Sequence, residues 1–134
     1  DRTHKMIIIG AGNLGQALAN YMNFERRGFL FKGIFDNNPE LWGRKIRAME
    51  VKPMEEMEEF VKENEIDIAV LTIPKASAAS VSERLARTGI RGIWNFAHVD
   101  LCVPEEIQVE NVHLSDSLMK LIYNINSLDD DGRK

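Results

Sequence analysis

The stretch KMIIIGAGNLGQAL (5–18) constrains the fold most. Its run of isoleucines, closed by Gly10, reads as a strand over 5–10. A strand that lacks polar alternation is covered on both faces, as in a parallel sheet. Leu14, Ala17, Leu18, Tyr21 and Met22 follow at i, i+3, i+4, i+7 and i+8, the apolar stripe of a helix. A strand passing into a helix through glycines at 10, 12 and 15 opens a βαβ crossover, which is right-handed almost without exception.

The same alternation continues along the chain. FLFKGIFD (29–36) reads as a second strand and NNPELWG (37–43) as a turn-rich loop. KIRAMEV (45–51) reads as a short extra strand. Pro53 then opens a helix whose inner face carries Met54, Met57, Phe60 and Val61. IDIAVLTIP (66–74), GIRGIWNFA (89–97) and IQVENVHL (107–114) read as further strands. Between the first two, Ala78, Val81 and Leu85 mark a helix stopped by Gly89. The expected class is α/β, a Rossmann-type doubly wound and mostly parallel sheet.

The 134 residues suit one domain, assigned to 1–128, with the acidic DDDGRK (129–134) as a disordered tail. The net charge of −4 argues against nucleic-acid binding by this stretch alone. A single cysteine, Cys102, excludes an internal disulfide or a thiolate metal cluster and fits a reducing cytoplasm. No run approaches the ~20 apolar residues of a membrane span. No metal-ligand spacing is visible, so no metal is expected. The chain opens DRTHK without an initiator methionine, and a missing upstream segment is expected.

Over 114–128 the pattern changes. Ser115 can cap a helix that carries Leu118, Met119, Leu121, Ile122, Tyr123, Ile125 and Leu128. Lys120, Asn124 and Ser127 cover a polar arc of only roughly 60° at ~100° per residue. The apolar remainder is wider than the ~100° stripe a surface helix needs. Packing into a partner chain is the expectation.

The glycines fit a phosphate cradle. Gly10 allows the tight turn, Gly12 lets backbone approach a pyrophosphate, and Gly15 lets helix and strand pack closely. Free amides at the helix start favour anions, which makes Gly10, Ala11, Gly12, Asn13, Leu14 and Gly15 candidate cofactor residues. Asp36 lies 21 residues after Gly15, at the end of the second strand. Its carboxylate can accept both adenosine ribose hydroxyls and would repel a 2′-phosphate, so NAD(H) is favoured over NADP(H). The competing reading is an Asx-type turn through Asn37, Asn38 and Pro39. Asn37 is counted with the site. Thr72, Ile73 and Pro74, then Asn95, Phe96 and Ala97, end later strands and should border the same crevice, because ligands sit beyond the carboxyl ends of parallel strands.

A dehydrogenase also needs a proton relay. His4 precedes the first strand, on the wrong side of the sheet; His98 has only Asp100 near it in sequence; His113 precedes the last helix. No nucleophile motif appears. Catalytic residues are therefore not assigned, and the chain is expected not to be an enzyme.

GAGNLGQALANY (10–21), FDNNPELWGRKI (35–46), IDIAVLTIPKASA (66–78) and GIRGIWNFAHVDLCVPEEIQVENVHLSDSL (89–118) together resemble the C-terminal domain of the Rex family of redox-sensing transcriptional repressors. The resemblance implies NADH and NAD+ as ligands, homodimers with an exchanged terminal helix, and operator DNA bound through an upstream winged-helix domain. It implies release of DNA when NADH is bound. It also implies subunit coupling through Tyr21 and the position of His113, and dimer contacts from Leu114, Leu118, Leu121, Ile122 and Ile125.

Three positions depart from the family pattern. His98 stands where proline is common, His113 where aspartate is common, and Arg47–Ala48 where a glycine pair is common. The other readings are a small NAD-dependent oxidoreductase or its cofactor domain, and a CoA-binding domain of the same architecture.

Overall fold

The computed structural model describes residues 3–21 and 23–132, apart from the side chains at 23, 115, 116, 119 and 130–132. Met22 and the Ser115 cap therefore lie outside the description. The strands are β1 (His4–Ile9), β2 (Phe29–Asp36), β3 (Lys45–Ile46), β4 (Met49–Pro53), β5 (Ile68–Leu71), β6 (Gly92–Asn95) and β7 (Gln108–Asn111). The helices are α1 (Asn13–Ala19), α2 (Asn23–Arg26), α3 (Met57–Glu63), α4 (Lys75–Ala86) and α5 (Leu114–Gly132). The strands form one sheet in the order β3-β4-β2-β1-β5-β6-β7. Every pairing is parallel except β3 with β4.

β1 lies between β2 and β5, so the chain winds outward from it in both directions. Its side chains alternate between two cores. Ile7 and Ile9 join Phe35, Met57, Val61, Leu71 and Leu85 on the face under α3 and α4. Met6 and Ile8 join Ala19, Ile34, Val51 and Val70 on the face under α1. Burial on both sides is why the strand carries no polar alternation.

The structure corrects several boundaries. α1 stops at Ala19, because Asn20 closes it, its side-chain amide donating to the Gln16 carbonyl at 2.9 Å. Tyr21 thus follows the helix instead of riding on it. The segment 45–51 is not one strand. Arg47 takes φ 57° and folds it into a β3–β4 hairpin. Pro53 ends β4, paired with Asp36 of β2, and also caps the helical turn that follows it. Met54–Glu56 is a 3-10 turn, and α3 begins only at Met57.

The later strands shrink to four residues each, and their expected ends become loops at the carboxyl edge. α5 runs through Gly132, so 129–132 are helical where a disordered tail was expected. Once a helix is nucleated, each added residue gains a hydrogen bond at little further cost.

Candidate functional site

At the carboxyl end of β1 the Gly10 amide donates to the Phe35 carbonyl at 2.8 Å. Gly10 has φ 111°, and a Cβ there would strike the Thr72 carbonyl. A Cβ at Gly15 would overlap the Gly10 carbonyl oxygen, so this is the close helix–strand approach. Gly12, by contrast, faces open space, with nothing within 4 Å of a Cβ built on it. That opening is a cradle that only a ligand or solvent fills, and it fits a pyrophosphate. Thr72 braces the loop from β5, its hydroxyl 2.9 Å from the Gly10 carbonyl and 3.2 Å from that of Ile9.

Asp36 forms the Asx turn and also reaches the glycine loop. Its Oδ2 accepts from the Ala11 amide at 2.7 Å, and its Oδ1 accepts from the Asn38 amide at 2.8 Å. The second contact is the Asx turn; the first ties the carboxylate to the glycine loop. Each oxygen keeps a lone pair for a hydroxyl donor. Trp42 steadies the turn, its indole N–H donating to the Asp36 carbonyl at 2.7 Å.

A cleft of about 310 Å³ opens here. It brings together Gly10, Gly12, Asp36, Asn37, Thr72, Ile73 and Pro74 from the expected set. Ala11, Asn13, Leu14 and Gly15 stand behind it, in the loop and the start of α1. Asn95, Phe96 and Ala97 do not line it. Asn95 is fully buried, donating to the Val99 carbonyl and the Asn111 side chain at 2.9 Å and accepting from the Ala97 amide at 3.0 Å. Its polar groups are spent on holding the loop after β6. Phe96 packs edge-on against Trp94 at 4.8 Å, and Ala97 is buried.

The sequence reading missed Asn38, Leu41, Met54, Ser77 and Val81, which also line the cleft. A signal for Met54 existed, because it follows the end of a parallel strand just as Thr72 does. Treating Pro53 as a helix start hid it. Behind Met54, Arg84 forks onto Glu58 with both bonds at 2.6 Å. This hydrogen bonding holds the Glu58 carboxyl below the usual carboxylate range and raises the guanidinium.

Two other hollows differ in kind. One of about 610 Å³ lies by His4, Asp67 and Gly92, at the amino ends of the strands, the wrong edge for a ligand of an open parallel sheet. One of about 420 Å³ lies on the sheet between Phe24, Phe29, Ile68 and Trp94. Tyr21 packs edge-on against Phe24 at 4.9 Å, and His113 against His98 at 5.6 Å. Among the described residues no group of three or more His, Cys, Asp or Glu could hold a metal ion, and no helix is long and apolar enough to cross a membrane.

Residues 1–99 match the CoA binding domain family. The redox-sensing transcriptional repressor Rex of Caldanaerobacter subterraneus subsp. tengcongensis is 56% identical over 126 residues, 94% of this chain and 56% of that protein. The crystal structure of RSP in complex with beta-NADH superposes with a TM-score of 0.90 at 53% identity, over 99% of this chain and 64% of that one. RSP with beta-NAD+ and operator DNA also gives 0.90 at 53%, over 99% and 61%. RSP is itself described as a Rex-family repressor.

The chain belongs to the Rex family. It spans 56% of the length of this Rex relative. UDP-D-quinovosamine 4-dehydrogenase of Vibrio fischeri, at 20% identity and a TM-score of 0.60, shares the fold alone. Within the Rex fold, the cleft occupies the carboxyl ends of β1, β2 and β5. The His98–His113 contact joins the loop after β6 to the root of α5.

Proposed function

We propose that this Rex-family chain is the NADH-sensing part of a cytoplasmic transcriptional repressor and binds the dinucleotide without turning it over. Operator DNA would be held through an upstream winged-helix domain and released when NADH binds. The observation that carries the reading is the Asp36 carboxylate, anchored 2.7 Å from the Ala11 amide in a cleft that opens on Gly12. A carboxylate placed there accepts the adenosine ribose hydroxyls while the pyrophosphate crosses the glycine loop. The RSP complexes with beta-NADH and with beta-NAD+ and operator DNA support the same assignment.

The nicotinamide would extend past Ile73 and Pro74, which line the cleft and carry no formal negative charge. The oxidised ring is a cation and the reduced ring is neutral, and an uncompensated cation is costly in an apolar enclosure. NADH is therefore expected to bind more tightly than NAD+. A difference of ~2.8 kcal/mol gives a hundredfold preference, and a ligand shifts an equilibrium only through such differential affinity. Calorimetric titration of both forms tests this. Equal dissociation constants would sink the sensor reading.

The proposed active form is a homodimer in which α5 of each copy enters the other. Its exposed apolar side chains and the sheet groove between Phe24, Phe29, Ile68 and Trp94 support this. CoA is the competing ligand, because residues 1–99 match the CoA binding domain family. Displacement of NADH by micromolar CoA would move the assignment there.

A further inference from the structure

We infer that Arg84 is a positioning residue that sets the adenine end of the cleft; this rests on the dinucleotide reading above. If Asp36 holds the adenosine ribose, the base attached to that ribose lies beside it. The apolar groups available there are Leu41, Met54 and Val81. They come from three separate segments: the turn after β2, the turn after β4, and the middle of α4. No backbone ladder fixes the spacing between the last two.

Arg84 does so with side-chain bonds. One turn beyond Val81 on α4, its Nη2 donates to the Met54 carbonyl at 2.6 Å. Its Nε and Nη2 also fork onto the two oxygens of Glu58 on α3, each at 2.6 Å. The guanidinium thus ties both walls of the slot, Met54 and Val81, to one rigid point. Bidentate charge-assisted bonds carry geometry as well as energy, and lysine cannot reproduce the fork. Met54 is buried, so its backbone position decides where its thioether meets a ligand.

The test is titration of wild type, Arg84→Met and Arg84→Lys with NADH, NADPH and ADP, beside Arg47→Met as control. Arg47 pairs with Glu25 at 3.6 Å, and neither residue lines this cleft. Loss of a pre-organised wall is expected to weaken NADH and ADP by the same factor, about tenfold in Arg84→Met. Arg84→Lys should fall between it and wild type. The NADH-over-NADPH preference should stay unchanged, because Asp36 is untouched, and Arg47→Met should bind like wild type. Unchanged NADH affinity in Arg84→Met overturns the inference while leaving the dinucleotide reading intact. So does a loss seen for NADH but not for ADP. If Arg84→Met does not fold, wild-type affinity in Arg84→Lys overturns it instead. Failure of wild type to bind NADH overturns both readings.

Discussion

Around the glycine loop, the polar groups that shape the cleft find partners within the chain: the Gly10 amide on Phe35, the Ala11 amide on Asp36, the Thr72 hydroxyl on Gly10. Along α5 the situation is reversed. Leu114, Leu118, Leu121, Ile122, Tyr123, Ile125 and Leu128 stay between 42% and 72% exposed. The first region is held by bonds within one chain and leaves open space at Gly12. The second is a helix whose apolar surface greatly exceeds what its own chain covers. Full burial of a large apolar side chain contributes ~1.5–3 kcal/mol, so burying the exposed half of these seven on both copies gives on the order of 10–20 kcal/mol gross. That is comparable to the cost of association, and further contacts in the groove would decide the balance.

The strongest blow to this contrast removes α5. Truncation after Leu114 is expected to turn a micromolar dimer into a monomer or an aggregate, since α5 is the proposed occupant of the Phe24–Trp94 groove. The cleft should survive, because none of its lining comes from α5. Sedimentation and NADH titration together check both halves. A full-length chain that sediments as a monomer at that concentration would refute the exchanged helix.

A smaller effect is expected on the cleft side. Asp36→Ala removes the ribose acceptor and the anchor of the Ala11 amide. The charge-assisted bonds contribute ~1.5–3 kcal/mol, so NADH should bind roughly ten- to a hundredfold more weakly. Discrimination against NADPH should shrink, while the dimer should persist. Unaltered affinity in a fluorescence titration would show that Asp36 does not hold the ribose.

The smallest change lies in neither region. Arg47 occupies the first central position of the two-residue β3–β4 turn at φ 57°, where glycine is at ease. Arg47→Gly relieves that strain and loses only an ion pair between partly exposed groups. A stability gain of up to about 1 kcal/mol is expected, without change in NADH affinity or oligomeric state. Thermal melts test the gain, and a lower melting temperature would show that the Glu25 contact outweighs the strain.

The readable parts of the cleft were those encoded by local chemistry. Gly10 needs positive φ, Gly15 needs the absence of a Cβ, Asp36 ends β2, and Thr72 directly follows β5. Asn95 looked equally well placed but is buried by a hydrogen bond to Asn111, a residue 16 positions away that only the β6–β7 pairing brings near. Met54 failed in the opposite sense. Proline favours a helix start, and Pro53 does cap the next turn, but the parallel ladder from β2 also makes it a strand end.

The α/β alternation, the central buried strand, the glycine turn and the excess apolar surface of the last helix are all written in local residue patterns. These follow from side-chain periodicity and backbone freedom, which act within a few residues. The strand order, the hairpin at Arg47, the burial of Asn95 and the joining of Met54 to Val81 through Arg84 come from long-range contacts. Each of those depends on which distant segments share a ladder or a side-chain bond, and no local propensity carries that information.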